Sequence, residues 1–167
     1  MFYSRHGEAT LGDDQPNLTF ENCVTQRNLS EAGRRQAVSY GEVIRTLRIP
    51  MEYPIIASPF CRTRETAELA FGKGNSVVDP FWLNIYRLGS DIGVLEQETI
   101  LNSLHSFLEI PPAPGRNKFV VAHSFPPGVG LGPIPNMGTA TVKPLGKGNG
   151  YEIAGYLTLA QWMSLME

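Results

Sequence analysis

The chain has 167 residues, of which 42% are hydrophobic and 18% charged, and its net charge is −2. That supplies enough apolar material for one domain with one core and too much for a disordered chain. The near-neutral charge excludes a broad electrostatic pull toward nucleic acid or anionic lipid, so any anion must be held by a few local arginines, and the longest apolar runs are far too short to span a bilayer.

Met1–Arg5 reads as a short buried strand that runs into a polar loop, His6 to Asn28, rich in Asp, Asn, Gly and Pro. Ser30 is placed to cap a helix from Glu31 to about Arg48, because its hydroxyl can accept from a free backbone N–H of the first turn. Ala37, Tyr40, Ile44 and Leu47 recur at helical spacing and predict the buried face. Pro50 follows, then a strand over Tyr53–Ser58. Pro59 leads into a helix near Arg62–Phe71, which Gly72 and Gly74 stop. Val77–Leu83 is a third strand candidate, and Pro80 inside it predicts an edge position or an early end.

A helix is expected around Glu96–Leu108, with Leu101, Leu104 and Leu108 on one face. Pro111, Pro112, Pro114 and Gly115 make a turn before another apolar strand, Lys118–His123. Phe125–Gly138 is a Gly/Pro-rich loop. Thr139–Leu145 and Tyr151–Leu157 read as a hairpin around Gly146–Gly150, and Thr158 can cap a last short helix, Leu159–Met166. Strands alternating with helices imply a three-layer α/β/α sandwich with a largely parallel central sheet. The whole chain, residues 1–167, reads as a single domain.

Three features share a position. Arg5 and His6 follow the first strand, Arg62 opens the helix after the second, and His123 ends the strand Lys118–His123. In open parallel sheets, ligands bind beyond the carboxyl ends of the strands, so these residues are expected at one edge. Arginine offers a planar fork of donors that matches phosphate oxygens, and histidine can act as a nucleophile that forms a phosphorylated intermediate. Positioning and charge neutralisation do most of the work in phosphoryl transfer. This chemistry needs no metal and no cofactor, and no Cys/His spacing suggests a zinc site. The glycines Gly128, Gly130 and Gly132 open no helix and do not make a dinucleotide loop. His105 is taken as a surface or packing residue.

Four motifs carry a resemblance to a known family: R-H-G-E at Arg5–Glu8, R-N-L-S-x-x-G at Arg27–Gly33, S-P-x-x-R-x-x-E-T-A at Ser58–Ala67 and V-V-x-H at Val120–His123. In this order they resemble the histidine phosphatase superfamily, also called phosphoglycerate mutase-like. The segments Cys23–Ser30 and Ser58–Thr63 are most similar to its small bacterial members. The resemblance implies that His6 is the phosphorylated nucleophile, that Arg5, Arg62 and His123 complete the phosphate pocket, and that Arg27 has a minor supporting role. Phosphoglycerate mutases carry an acidic residue after the third strand, where this chain has Ile85 following Leu83 and Asn84. Glu8 is a candidate replacement acid, with Asp91, Glu96 and Glu98 weaker ones. A site without a strong acid suits good leaving groups, such as phosphoramidates or aryl phosphates.

The expected function is therefore hydrolysis of a phosphomonoester or phosphoramidate through phosphohistidine. The alternatives are a cofactor-dependent mutase, disfavoured by Ile85, and a non-catalytic phosphate-binding module on the same fold. The expected partner is a small phosphorylated substrate, a phosphohistidine protein being one candidate, with no nucleic acid and no membrane span. Only Met1–Ser4 precede the R-H-G-E motif. The expected location is accordingly cytoplasmic by default, and secreted or periplasmic if a leader was removed. Cys23 and Cys61 are expected to lie close together, either as a disulfide or as two independent buried thiols.

Overall fold

Phe119–Ala122 (β4) is a run of four apolar residues, all buried, as expected of a strand covered on both faces. In the computed structural model, which describes residues 1–167, it lies inside a six-stranded sheet of order β3-β2-β4-β1-β5-β6. The other strands are Phe2–Arg5 (β1), Ile55–Ala57 (β2), Ser76–Val78 (β3), Thr139–Pro144 (β5) and Tyr151–Leu157 (β6). β3, β2, β4 and β1 pair in parallel, while β5 joins β1 antiparallel and pairs with β6 as a hairpin. The expected largely parallel sheet is present, with an antiparallel pair added at one edge.

Helices cover both faces. Glu31–Thr46 (α1), Cys61–Phe71 (α2) and Leu159–Ser164 (α5) bury Ala37, Tyr40, Ile44, Ala67, Ala70 and Trp162 against Phe119 and Val121. Leu83–Arg87 (α3) and Val94–Leu108 (α4) bury Ile85, Ile100, Leu104 and Leu108 against Tyr3, Val120 and Ala122. Alternate residues of β4 thus feed the two cores, the period-2 rule of a strand. Ser30 caps α1 by accepting from the Gly33 N–H, and Thr158 caps α5 in a reciprocal box with Gln161.

The strand candidate over Val77–Leu83 is shorter than its outer bound and has the edge position and early end that Pro80 predicts. β3 ends at Val78 and lies at the sheet edge. Pro80 has no N–H to give the ladder, and the Asp79 side chain accepts from the Phe81 N–H to start a 3₁₀ turn over Pro80–Trp82 that runs directly into α3. The last helix ends at Ser164 rather than Met166. No helix is long and apolar enough to cross a membrane.

Two glycines set how closely the elements meet. A Cβ on Gly41 would sit 2.0 Å from the Ala70 carbonyl oxygen, so only glycine lets α1 and α2 approach this closely. A Cβ on Gly33 would sit 2.0 Å from the Glu8 carbonyl oxygen. The start of α1 therefore rests on the loop that leaves β1.

Candidate active site

The register of the sheet builds the site. Arg5 of β1 pairs with Ala122 of β4, so the next residues, His6 and His123, leave the sheet level with each other. The His6 N–H donates to the Ala122 carbonyl at 3.1 Å, and the two imidazole rings stand 5.5 Å apart, edge to face. β2 ends one strand further along, and Arg62 enters from the first turn of α2. Arg5, His6, Arg27, Arg62 and His123 line one cleft of about 280 Å³ together with Tyr86, Gly89, Ser90 and Ser124.

Backbone contacts hold the histidine loop. The Gly7 N–H donates to Thr66 Oγ1 at 3.1 Å, and that hydroxyl donates to the Arg62 carbonyl at 2.7 Å. Thr66 belongs to the E-T-A part of the third motif, so the motif fastens the His6 loop to the helix carrying Arg62. Cys61 and Cys23 form a disulfide with Cα atoms 5.7 Å apart. The Cys61 N–H also donates to Gln26 Oε1 at 2.8 Å. The loop between β1 and α1 is therefore tied to the same helix by a covalent bond and a buried hydrogen bond.

His6 has its ring fixed at both nitrogens. Nδ1 lies 2.6 Å from the Gly7 carbonyl oxygen, which can only accept, so Nδ1 carries the proton. Nε2 is then a bare lone pair, and Arg62 Nε donates to it at 3.3 Å. Burial, and after it the charge of Arg62, pushes His6 down to about 3, with Arg5 and Arg27 adding to the effect against the opposing bond to Gly7. His123 is held well below its ordinary value by burial and by His6, Arg62 and Arg5. Both rings are neutral near pH 7. His123 Nε2 lies 2.9 Å from Ser58 Oγ.

The guanidinium of Arg62 packs against two adjacent aromatic rings. Its carbon sits 4.2 Å from the Phe60 ring centroid and 5.5 Å from that of Tyr86. Its Nη1 and Nη2 donate to Oδ1 and Oδ2 of Asp14 at 2.9 and 3.2 Å. Arg5 Nη1 donates to the Ile134 carbonyl at 3.1 Å, and Arg27 Nε to that of Thr10 at 2.8 Å.

The candidate acids sit elsewhere. Glu8 accepts from the Ser30 hydroxyl at 2.7 Å and does not line the cleft, and Glu96 is paired with Arg87. Ile85 is fully buried in the core, because α3 turns that position inward and presents Tyr86 to the cleft instead. Sequence reasoning missed Tyr86 and Asp14. Neither stands in a recognisable motif, and their positions depend on where a short helix and a long loop come to rest.

Residues 1–80 match the family model of the histidine phosphatase superfamily, branch 1. That match covers the first 80 of the 167 residues and takes in Arg5, His6, Arg27 and Arg62. Among solved structures it is similar to the phosphoserine phosphatase of Entamoeba histolytica in complex with 3-phosphoglyceric acid, at 17% identity and a TM-score of 0.60, covering 97% of this chain and 98% of that one. It is also similar to the protein histidine phosphatase SixA complexed with tungstate, at 15% identity and a TM-score of 0.53 over 95% and 96% of the chains. A mycobacterial glucosyl-3-phosphoglycerate phosphatase in complex with VO3 matches at 17% identity and a TM-score of 0.53 over 86% and 92%. These likenesses establish the fold. No curated protein matches it in sequence.

Proposed function

We propose that the protein is a phosphatase that hydrolyses a phosphomonoester or phosphoramidate through phosphohistidine on His6. The observation that carries this reading is the unprotonated Nε2 of His6, fixed by the Nδ1 contact to Gly7 and aimed at Arg62 in the cleft. Nε2 attacks phosphorus, the P–N bond forms and the P–O or P–N bond to the leaving group breaks. Water then cleaves the phosphohistidine and frees the ring for the next cycle.

Arg5 and Arg62 neutralise the equatorial oxygens as charge spreads over them, with Arg27 at the same cleft. In the His123 tautomer that accepts the Ser58 hydroxyl proton at Nε2, Nδ1–H is left to donate to the phosphoryl group. None of the nine lining residues is a carboxylate, so the reading favours substrates whose leaving group departs without a strong acid. The fold-level likeness to a protein histidine phosphatase and to a phosphoserine phosphatase is compatible with both a phosphoprotein and a small phosphorylated substrate.

The test is hydrolysis of an aryl phosphate by wild type and His6→Ala, with trapping of labelled enzyme. His6→Ala is expected to lose turnover while keeping phosphate binding. Trapped label is expected to be lost in acid and to survive base. Acid-stable label, or label that persists in His6→Ala, would assign the nucleophile to another residue.

A further inference from the structure

Arg62 has three donor edges, and only part of them faces His6. Its Nε–H points at His6 Nε2. The opposite end-on edge, Nη1 and Nη2, is taken by both oxygens of Asp14. The side chains of this pair are 3% and 8% exposed. Nη1 also donates to the Arg27 carbonyl at 3.2 Å. What remains for a phosphoryl group on His6 is the side-on edge, the Nε–H with the second Nη2 proton, which fits two phosphate oxygens.

Asp14 is itself held from two further sides. The Arg27 N–H donates to Oδ1 at 2.8 Å and the Tyr86 hydroxyl to Oδ2 at 3.0 Å. One carboxylate thus joins the loop between β1 and α1, the helix carrying Arg62 and the cleft wall at Tyr86. It is absent from the cleft lining, so it does not meet substrate directly.

We propose that Asp14 is a positioning residue of the phosphatase reaction: it clamps the end-on edge of Arg62, presents the side-on edge to the phosphoryl group on His6, and fixes Tyr86 as the wall beside it. The inference rests on the phosphatase reading above. Burial alone would raise Asp14, but the hydrogen bonds from Arg62 and Arg27 hold it below the usual carboxylate value. It therefore stays anionic, offsets one of the guanidiniums around two neutral histidines, and makes a poor proton donor. In Asp14→Asn the amide group would direct N–H bonds at Nη2 of Arg62, donor against donor, and the guanidinium would turn.

The experiment compares kcat and KM of wild type, Asp14→Asn and Asp14→Ala on a nitrophenyl phosphate and on an alkyl phosphate. Arg62 contacts strengthen as charge moves onto the equatorial oxygens, so the loss should fall on kcat, on the order of 10²-fold for a misplacement of about 1 Å. The factor should be the same for both substrates, because positioning acts on the phosphoryl group and not on the leaving group. Formate, which can occupy the vacated carboxylate site, should restore kcat in Asp14→Ala and not in Asp14→Asn, where the site is filled.

A loss confined to the alkyl phosphate would make Asp14 the general acid and overturn the positioning role. A loss that formate leaves untouched, with a matching fall in thermal stability, would reduce Asp14 to a structural residue and overturn it as well. Unchanged kcat in both variants would overturn it alone. Absence of turnover by wild type would remove the phosphatase reading and this inference with it.

Discussion

Lowering the pH from about 7.5 to about 5 should destabilise the protein through His6. An unfolded histidine titrates near 6.5, whereas in the fold burial and the neighbouring arginines push His6 down to about 3. Between those values the unfolded chain binds a proton that the native chain refuses. Stability from this residue is fully present above about pH 6.5 and is lost as the pH falls toward 3. At about 1.36 kcal/mol per pH unit, the loss at pH 5 is about 2 kcal/mol, a large part of a small domain's stability. Urea unfolding in phosphate-free buffer at several pH values measures it, with His6→Asn as the reference. His123 is depressed in the same direction, in part by His6 itself, so the difference between the two curves reports His6 together with its coupling to His123. Wild type should lose stability faster than the variant below pH 6.5. Parallel curves would refute the argument that the ring is buried neutral among cations.

Removing the disulfide by Cys23→Ser should cost about 4 kcal/mol on the chain-entropy relation for its 38-residue separation, and urea unfolding with an unchanged midpoint would contradict that. Gly41→Ala drives a Cβ to 2.0 Å from the Ala70 carbonyl oxygen, so it should destabilise by about 1–3 kcal/mol through forced separation of α1 and α2. A melting temperature equal to wild type would show that the helices part without cost.

Much of the architecture was legible because it is local or periodic. The apolar run ending in His123, the spacing of Ala37, Tyr40 and Ile44, and the caps at Ser30 and Thr158 each obey a rule that acts over a few residues. The convergence of Arg5, His6, Arg62 and His123 was legible for a related reason: residues that end parallel strands share one sheet edge whatever the loops do. The strand candidate over Val77–Leu83 is present as an edge strand that ends early, as Pro80 implied, whereas the 3₁₀ turn and helix that follow depend on the Asp79 cap, which apolar content alone does not reveal.

Tertiary structure alone decided the rest. Whether residue 85 or 86 faces the cleft depends on the rotation of α3 against the core, and a five-residue helix has too short a pattern to declare it. The partner of Arg62 depends on how the loop from His6 to Asn28 folds back, and nothing periodic in that loop marks Asp14 among its polar neighbours. The bond between Cys23 and Cys61 was left open by the sequence, because two thiols 38 residues apart become partners only when the loop is seated on α2. The residue types that line the cleft are written in the sequence, whereas their protonation, their orientation and their supports arise from contacts between segments far apart along the chain.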